Sequence, residues 1–259
     1  MKKLLVFVSF AALAAIACPP VDEVDTDAGG GQPDAGTSGA VCTTPSTPIE
    51  CEDENILQLA RKWPVSTGTV TTTESSGVFT SVIDATAGGM NGASTHSFVY
   101  VRFTDSGLEK VAIDDDTTFG SLDWDMMARR YVVLLNGGDV GPSCVAAAAA
   151  SGTFDSVTAA PAGANYREED LFDSGCVLVK DQRYASQGFD TPDALLKTWW
   201  EYPQGCVATS GDVFVLRLAS GRLVKLVIDE YYGGGQADCN TMGVMGTNSG
   251  MLKLRWAWL

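Results

Sequence analysis

The chain has 259 residues and a formal net charge of −15, from 17 basic and 32 acidic residues with one histidine. No basic stripe exists to neutralise phosphates, which argues against nucleic acid as a partner, and the acidity argues equally against adsorption to anionic lipid. A single His, no CxxC spacing and no Ser, Cys or Lys in a nucleophile motif argue against a zinc cluster and leave little acid–base chemistry, so no enzyme is expected.

In chain order, Met1-Lys2-Lys3 is a positive start, Leu4 to Ala17 is apolar, and Cys18 follows small residues. This pattern predicts a signal peptide over 1–17, too short to span a bilayer. Ala15-Ile16-Ala17-Cys18 is similar to a bacterial lipobox, with Ala15 where Leu is usual. Cys18 is therefore expected to be the lipidated first residue of the mature chain; as a plain signal peptide the leader would leave Cys18 an odd thiol. Several acyl chains at one end make a stable anchor. Pro19 in place of Asp after that Cys is similar to outer-membrane sorting signals, so a lipid-anchored outer-membrane protein is expected, on either its periplasmic or its extracellular face.

Residues 18–50 are rich in Asp, Gly, Pro, Ser and Thr, with Asp27-Ala28-Gly29 echoed by Asp34-Ala35-Gly36. Too few apolar side chains are present to offset ordering entropy, and a flexible tether is expected. A calcium loop would need a following Glu and flanking helices, which are missing. One folded domain over 51–259 remains, long enough for a substantial core.

Apart from Cys18 the cysteines are Cys42, Cys51, Cys144, Cys176, Cys206 and Cys239. An even set in an exported protein implies disulfides. Cys206 and Cys239 flank a predicted hairpin and are expected to pair; Cys42 with Cys51 is the second candidate pair.

Phe98 to Asp114 and Val213 to Asp229 each read as two alternating strands about a Ser-Gly turn, and they align without gaps: Arg102 with Arg217, Lys110 with Lys225, Asp114 with Asp229. Val70 to Asp84 is a fainter third version. Repeated hairpins predict an all-β domain of stacked antiparallel strands, with the charged residues of the echo serving as cross-strand partners. Trp256 and Trp258 belong to a closing strand. Two short helices are expected, over 53–62 before Pro64 and over 194–200 after the Thr191-Pro192-Asp193 start signal. Ala146 to Ala150 fits either a helix or a strand.

The run Leu122 to Gly138 mixes Trp124, Asp125, Arg129, Arg130 and Tyr131 with a closing Asn136-Gly137-Gly138. Core filling alone needs no such mixture. Read as one strand, it places Trp124, Met126, Ala128 and Arg130 on one face and Asp125, Met127, Arg129 and Tyr131 on the other. Asp125 is then expected to pair with Arg129 or to cap a neighbouring turn.

Trp124-Asp125, Arg130-Tyr131 and Asn136-Gly137-Gly138, followed by Phe214-Val215, Arg217, Gly221, Lys225 and Tyr231-Tyr232, resemble in their order the HmuY-like lipoproteins, a group of haem-binding surface proteins. The resemblance covers about residues 95–259. It implies an HmuY-like antiparallel β fold that binds haem or a related porphyrin at the cell surface and passes it to an outer-membrane receptor. One ligand loop of the family reads Trp-x-Glu-aromatic-x-His-Gly. Here Trp199 to Gly205 places Gln204 at the His position, and the other ligand loop, within 172–187, has neither His nor Met. Haem needs an apolar slot and axial ligands such as His, Met, Cys or Tyr. The candidates are His96, Gln204 and Met245 (the last in a Gly-rich segment with Met242 and Met251), and the phenols of Tyr184, Tyr202, Tyr231 and Tyr232. A relative that kept the fold as a surface binding or adhesion module, without the iron ligands, is the alternative. Asp114-Asp115-Asp116 is a remaining acidic candidate for a metal.

Overall fold

All three hairpin echoes fold as hairpins, two of them in one sheet and one in another. The computed structural model describes residues 42–46, 48–89 and 91–259; the expected signal peptide, Cys18 and most of the expected tether lie outside the described residues. In chain order come α1 (Glu52–Gln58), β1 (Val70–Ser75), β2 (Val78–Asp84), β3 (Val99–Thr104), β4 (Gly107–Val111), β5 (Met126–Arg129), β6 (Val132–Leu135) and β7 (Ala146–Ala150). They are followed by β8 (Trp200–Glu201), β9 (Ala208–Thr209), β10 (Val213–Arg217), β11 (Leu223–Gly234), α2 (Gln236–Met242) and β12 (Thr247–Trp258). A six-stranded sheet runs β1-β2-β12-β11-β10-β7, a four-stranded sheet β4-β3-β5-β6, and β8 pairs with β9; every pairing is antiparallel. The fold is all-β, as the alternating patterns require.

The period of two along β3 explains the layering. Val99, Val101 and Phe103 enter a core shared with Phe79, Leu226 and Trp256 of the large sheet, whereas Tyr100 turns to a second core with Trp124, Met127 and Leu134. Phe79 stacks on Trp256 at 4.1 Å, and Phe103 meets the same indole edge-on at 5.0 Å, which joins the two sheets. The long connection from β7 to β8 covers the opposite faces. Phe154 and Val157 lie over β10 and β11, while Leu171, Phe172 and Leu178 lie against the second core.

Several local expectations are corrected. The run Leu122 to Gly138 is a hairpin, β5 to β6, turning at Arg130 and Tyr131, with Arg130 at φ 56°. Trp124 and Asp125 precede the strand. Asp125 does not pair with Arg129: its Oδ2 accepts the Phe103 N–H at 2.9 Å, holding the start of β5 to β3. Arg129 instead donates to the carbonyls of Leu59 and His96 and lies over the Phe98 ring at 4.0 Å. Asn136 ties the loops together, donating to the Trp124 and Ser121 carbonyls and accepting the Ser143 N–H. The glycines beside it allow close backbone approach: a Cβ on Gly138, at φ 57°, would lie 1.9 Å from the Glu169 carbonyl.

No α-helix forms over 194–200. A short 3-10 turn spans Lys197–Trp199, and Trp200 enters β8. Trp199 and Trp200 are both buried in the core shared by the two main sheets, and the change from the 3-10 turn to β8 between them lets successive indoles enter it. The first helix stops at Gln58 because Ala60 turns left-handed (φ 50°) and sends Arg61 into the core. Ala146 to Ala150 is the edge strand β7 beside β10.

Cys206 pairs with Cys239. The other expected pair does not form: Cys42 bonds Cys144, and Cys51 bonds Cys176, across separations of 102 and 125 residues. Cys42 and Ser46 also donate backbone N–H groups to the Ala219 and Pro142 carbonyls, so the end of the expected tether is fastened to the domain. Among the described residues no helix is long and apolar enough to cross a membrane.

Candidate functional site

The turn at Arg130 and Tyr131 opens a cleft of about 330 Å³ at one end of the sheets. Five rings line it: Tyr131, Phe189 from the β7–β8 connection, Tyr202 after β8, and Tyr231 and Tyr232 of β11. Adjacent residues of a regular strand face opposite ways. Here β11 carries register shifts at Glu230 that bring both Tyr231 and Tyr232 to the cleft. The Gln236 side chain accepts the N–H groups of both tyrosines, at 2.8 and 3.3 Å, and fixes the bulged segment. The rings support one another: Phe189 and Tyr202 are 4.5 Å apart, Tyr131 and Trp200 5.1 Å, and Tyr231 and Tyr232 4.9 Å.

Arg130 supplies the charge. Its backbone N–H donates to the Ala85 carbonyl at 2.7 Å, its guanidinium donates to the Ser249 hydroxyl at 2.9 Å, and it lies over Tyr231. No carboxylate lies within 4.0 Å of it among the described residues. A cation at an aromatic cleft, on a chain of net charge −15, suits a planar ligand with an acidic edge.

Burial holds the Tyr131, Tyr231 and Tyr232 phenols above their ordinary pKa, because a phenolate would be poorly solvated there; the neighbouring Arg130 only partly offsets this. These phenols are therefore protonated at neutral pH. The Tyr232 hydroxyl accepts the Val207 N–H, and the Tyr202 hydroxyl donates to the Gly205 carbonyl.

Of His96, Gln204 and Met245, only Met245 lines this cleft, on the segment between α2 and β12, where it is 55% exposed; of the candidate phenols, Tyr202, Tyr231 and Tyr232 line it and Tyr184 does not. Gln204 is not in the cleft lining and packs against Gly243, where a Cβ would meet its side chain at 2.5 Å. His96 lies in a separate cleft beside Trp63 and Asp84, its Nδ1 2.8 Å from the Gly92 carbonyl. Tyr184 supports Trp200 and Tyr202. The acidic triplet does not converge: Asp114 caps the Thr117 N–H, while Asp115 is fully buried and accepts from Ser97, Tyr100 and Trp63. Among the described residues no three His, Cys, Asp or Glu side chains are grouped to hold a metal ion. Arg130, Tyr131 and Phe189 are not among the residues that the sequence offers as ligands. The Arg130-Tyr131 pair was visible as a motif, but reading it as mid-strand hid its place at a turn.

The model of the HmuY protein family matches residues 91–242, more than half of the chain. Among curated proteins none matches. Solved structures do. A Bacteroides vulgatus protein described as an HmuY-like heme-binding candidate is 17% identical, with TM-score 0.46, covering 75% of this chain and 97% of its own. A candidate lipoprotein of Bacteroides fragilis is 15% identical, with TM-score 0.44, covering 72% and 92%. The apo form of an HmuY analog from Tannerella forsythia is 17% identical, with TM-score 0.40, covering 73% and 96%. On the extent of the family match, the chain belongs to the HmuY family.

Proposed function

We propose that this protein is a lipid-anchored outer-membrane lipoprotein that captures haem or a related porphyrin in the aromatic cleft, at the cell surface, for delivery to an uptake receptor. The observation that carries the reading is the convergence of five rings, one carboxylate-free cation and one thioether on a single cleft. The ring faces suit a flat macrocycle, and Arg130 suits the carboxylates at its edge. At about 330 Å³ the cleft is near the small end of ligand sites, which run from roughly 300 to 1,000 Å³, so a macrocycle would stand partly outside it.

The residues fit the macrocycle better than they fit its iron. Among the described residues Met245 is the one lining side chain with a soft donor free of a proton, since the buried phenols resist ionisation. This favours a second reading, a family member that binds a planar ligand by its rings without coordinating iron. Titrating the soluble domain with haemin and with metal-free protoporphyrin separates them. Haem capture through Met245 predicts a saturable Soret shift with haemin that Met245→Ala abolishes. Equal affinity for both porphyrins, unchanged by Met245→Ala, supports the second reading. No saturable change with either, up to equimolar ligand, overturns both.

A further inference from the structure

A second cleft, of about 360 Å³, lies where the chain enters β1, leaves β2 and approaches β3. Most of it is built from residues ahead of position 91, where the family match begins. We propose that it binds a neutral, hydroxyl-rich ring, a saccharide.

The aromatic wall is Trp63, half-buried and held at two points. Its Nε1–H donates to the Ser94 carbonyl at 3.0 Å, and its backbone N–H donates to Asp115 Oδ2 at 3.0 Å. The polar wall is Asp84. Its Oδ1 accepts the N–H and hydroxyl of Thr86, at 3.2 and 2.7 Å, and its Oδ2 has no protein donor among the described residues. His96, also in the lining, spends Nδ1 on the Gly92 carbonyl and leaves Nε2 without a protein partner among the described residues. The hydroxyls of Ser66 and Thr95 line it too. Gly68 keeps the walls close, since a Cβ there would lie 2.2 Å from the Asp84 carbonyl.

Elimination narrows the ligand. Among the described residues no Lys or Arg lines the cleft, although the Lys62 ammonium lies 6.0 Å from the Trp63 ring centroid and the Lys110 ammonium donates to the Ser66 carbonyl; Asp84 together with the net charge of −15 disfavours anions. One carboxylate and one imidazole do not make a metal site, and one aromatic side chain does not make a slot for a macrocycle. A sugar matches what remains: its C–H face lies on an indole, and its hydroxyls donate to a carboxylate oxygen and an imidazole nitrogen while accepting from the Ser66 hydroxyl, the Thr95 hydroxyl being spent on the Gly92 carbonyl.

The test is calorimetric titration of the intact domain with glucose, galactose, mannose, N-acetylglucosamine and maltose at millimolar concentration. At least one sugar is expected to saturate, and Trp63→Ala and the isosteric Asp84→Asn are each expected to weaken it about tenfold or more. Both variants should titrate with haemin as the parent does, which keeps this proposal separate from the aromatic cleft and controls for folding. Absence of saturation by all five sugars overturns the proposal, as does binding that Asp84→Asn leaves unchanged.

Discussion

The two main sheets hold most of their charge differently, with buried Lys225 on β11 and the exposed Arg102–Glu109 pair on β3 and β4 as exceptions. Around the four-stranded sheet, ionisable groups are buried and tie elements together. Asp115 accepts three donors, Asp125 holds β5 to β3, and Glu169, 2% exposed, accepts the N–H groups of Leu135 on β6 and Leu195 on the long connection. Arg61, fully buried, donates to Asn55, Thr118 and the Val140 carbonyl. On the six-stranded sheet the acid–base pairs Arg255–Asp229 and Lys253–Glu230 sit half-exposed across neighbouring strands. Buried charges specify one arrangement at high cost if a partner is lost, whereas exposed pairs add little. The smaller sheet is thus the one whose attachments are chemically specified, and its hairpin turn presents Arg130 and Tyr131 to the cleft.

The sharpest break of this contrast is Asp115→Ala, which takes the acceptor from the Tyr100 hydroxyl and the Trp63 N–H, leaves the Ser97 hydroxyl only the Phe98 carbonyl, and opens a gap among buried groups. A loss on the order of 3 kcal/mol or more is expected in urea unfolding, at the rate of about 1–3 kcal/mol for an unsatisfied buried group.

The next effect is on pH dependence. Burial raises Glu169 to about 7 and Asp125 to about 6, against ordinary values near 4. A carboxyl whose folded pKa is raised contributes stability that is complete below its unfolded pKa and disappears as pH rises through its folded pKa. These two groups therefore favour the folded state at about pH 4 and cease to do so between about pH 6 and 7. Glu169→Gln should flatten the upper part of that slope in melting curves recorded from pH 4.5 to 8; an unchanged slope would show that Glu169 does not titrate there.

Arg130→Ala should weaken haemin binding about tenfold and reduce its salt dependence, because it removes the cation at the cleft. Equal loss of affinity for a porphyrin without carboxylates would show that Arg130 acts through packing alone. The smallest effect is expected on the larger sheet. Arg255→Ala should cost under about 1 kcal/mol, since its bidentate partner Asp229 stays solvated; a loss as large as that from Asp115→Ala would erase the contrast between the sheets.

The echoed hairpins show how far a local pattern reaches. Arg102 faces Glu109 across β3 and β4, as cross-strand pairing predicts, yet its counterpart Arg217 lies over Tyr166 instead. Lys225, the counterpart of half-buried Lys110, is buried and donates to the Phe154 carbonyl. The strands were legible because alternation is a property of neighbours. Each residue's partner was not, because partners arrive from distant segments such as the β7–β8 connection. For the same reason the indoles of Trp199 and Trp200 overrode a good helix start signal at Thr191 and Pro192, and Cys42 and Cys51 each found a cysteine more than a hundred residues away.

At the candidate site the division is similar. The sequence marked Met245, Gln204 and His96 as candidates, but only the folded chain sets Met245 in the cleft lining, packs Gln204 against Gly243 and puts His96 in another cleft. By itself the sequence determined an all-β chain of repeated hairpins and, through Trp124 to Gly138 and the motifs that follow, its family, because periodicity and ordered motifs are carried by the chain itself. Tertiary structure decided which charges are buried, which cysteines meet and which rings share a cleft. Those depend on approaches between segments far apart in the chain, and a turn at Arg130 or a bulge at Glu230 re-aims side chains that alternation alone would point elsewhere.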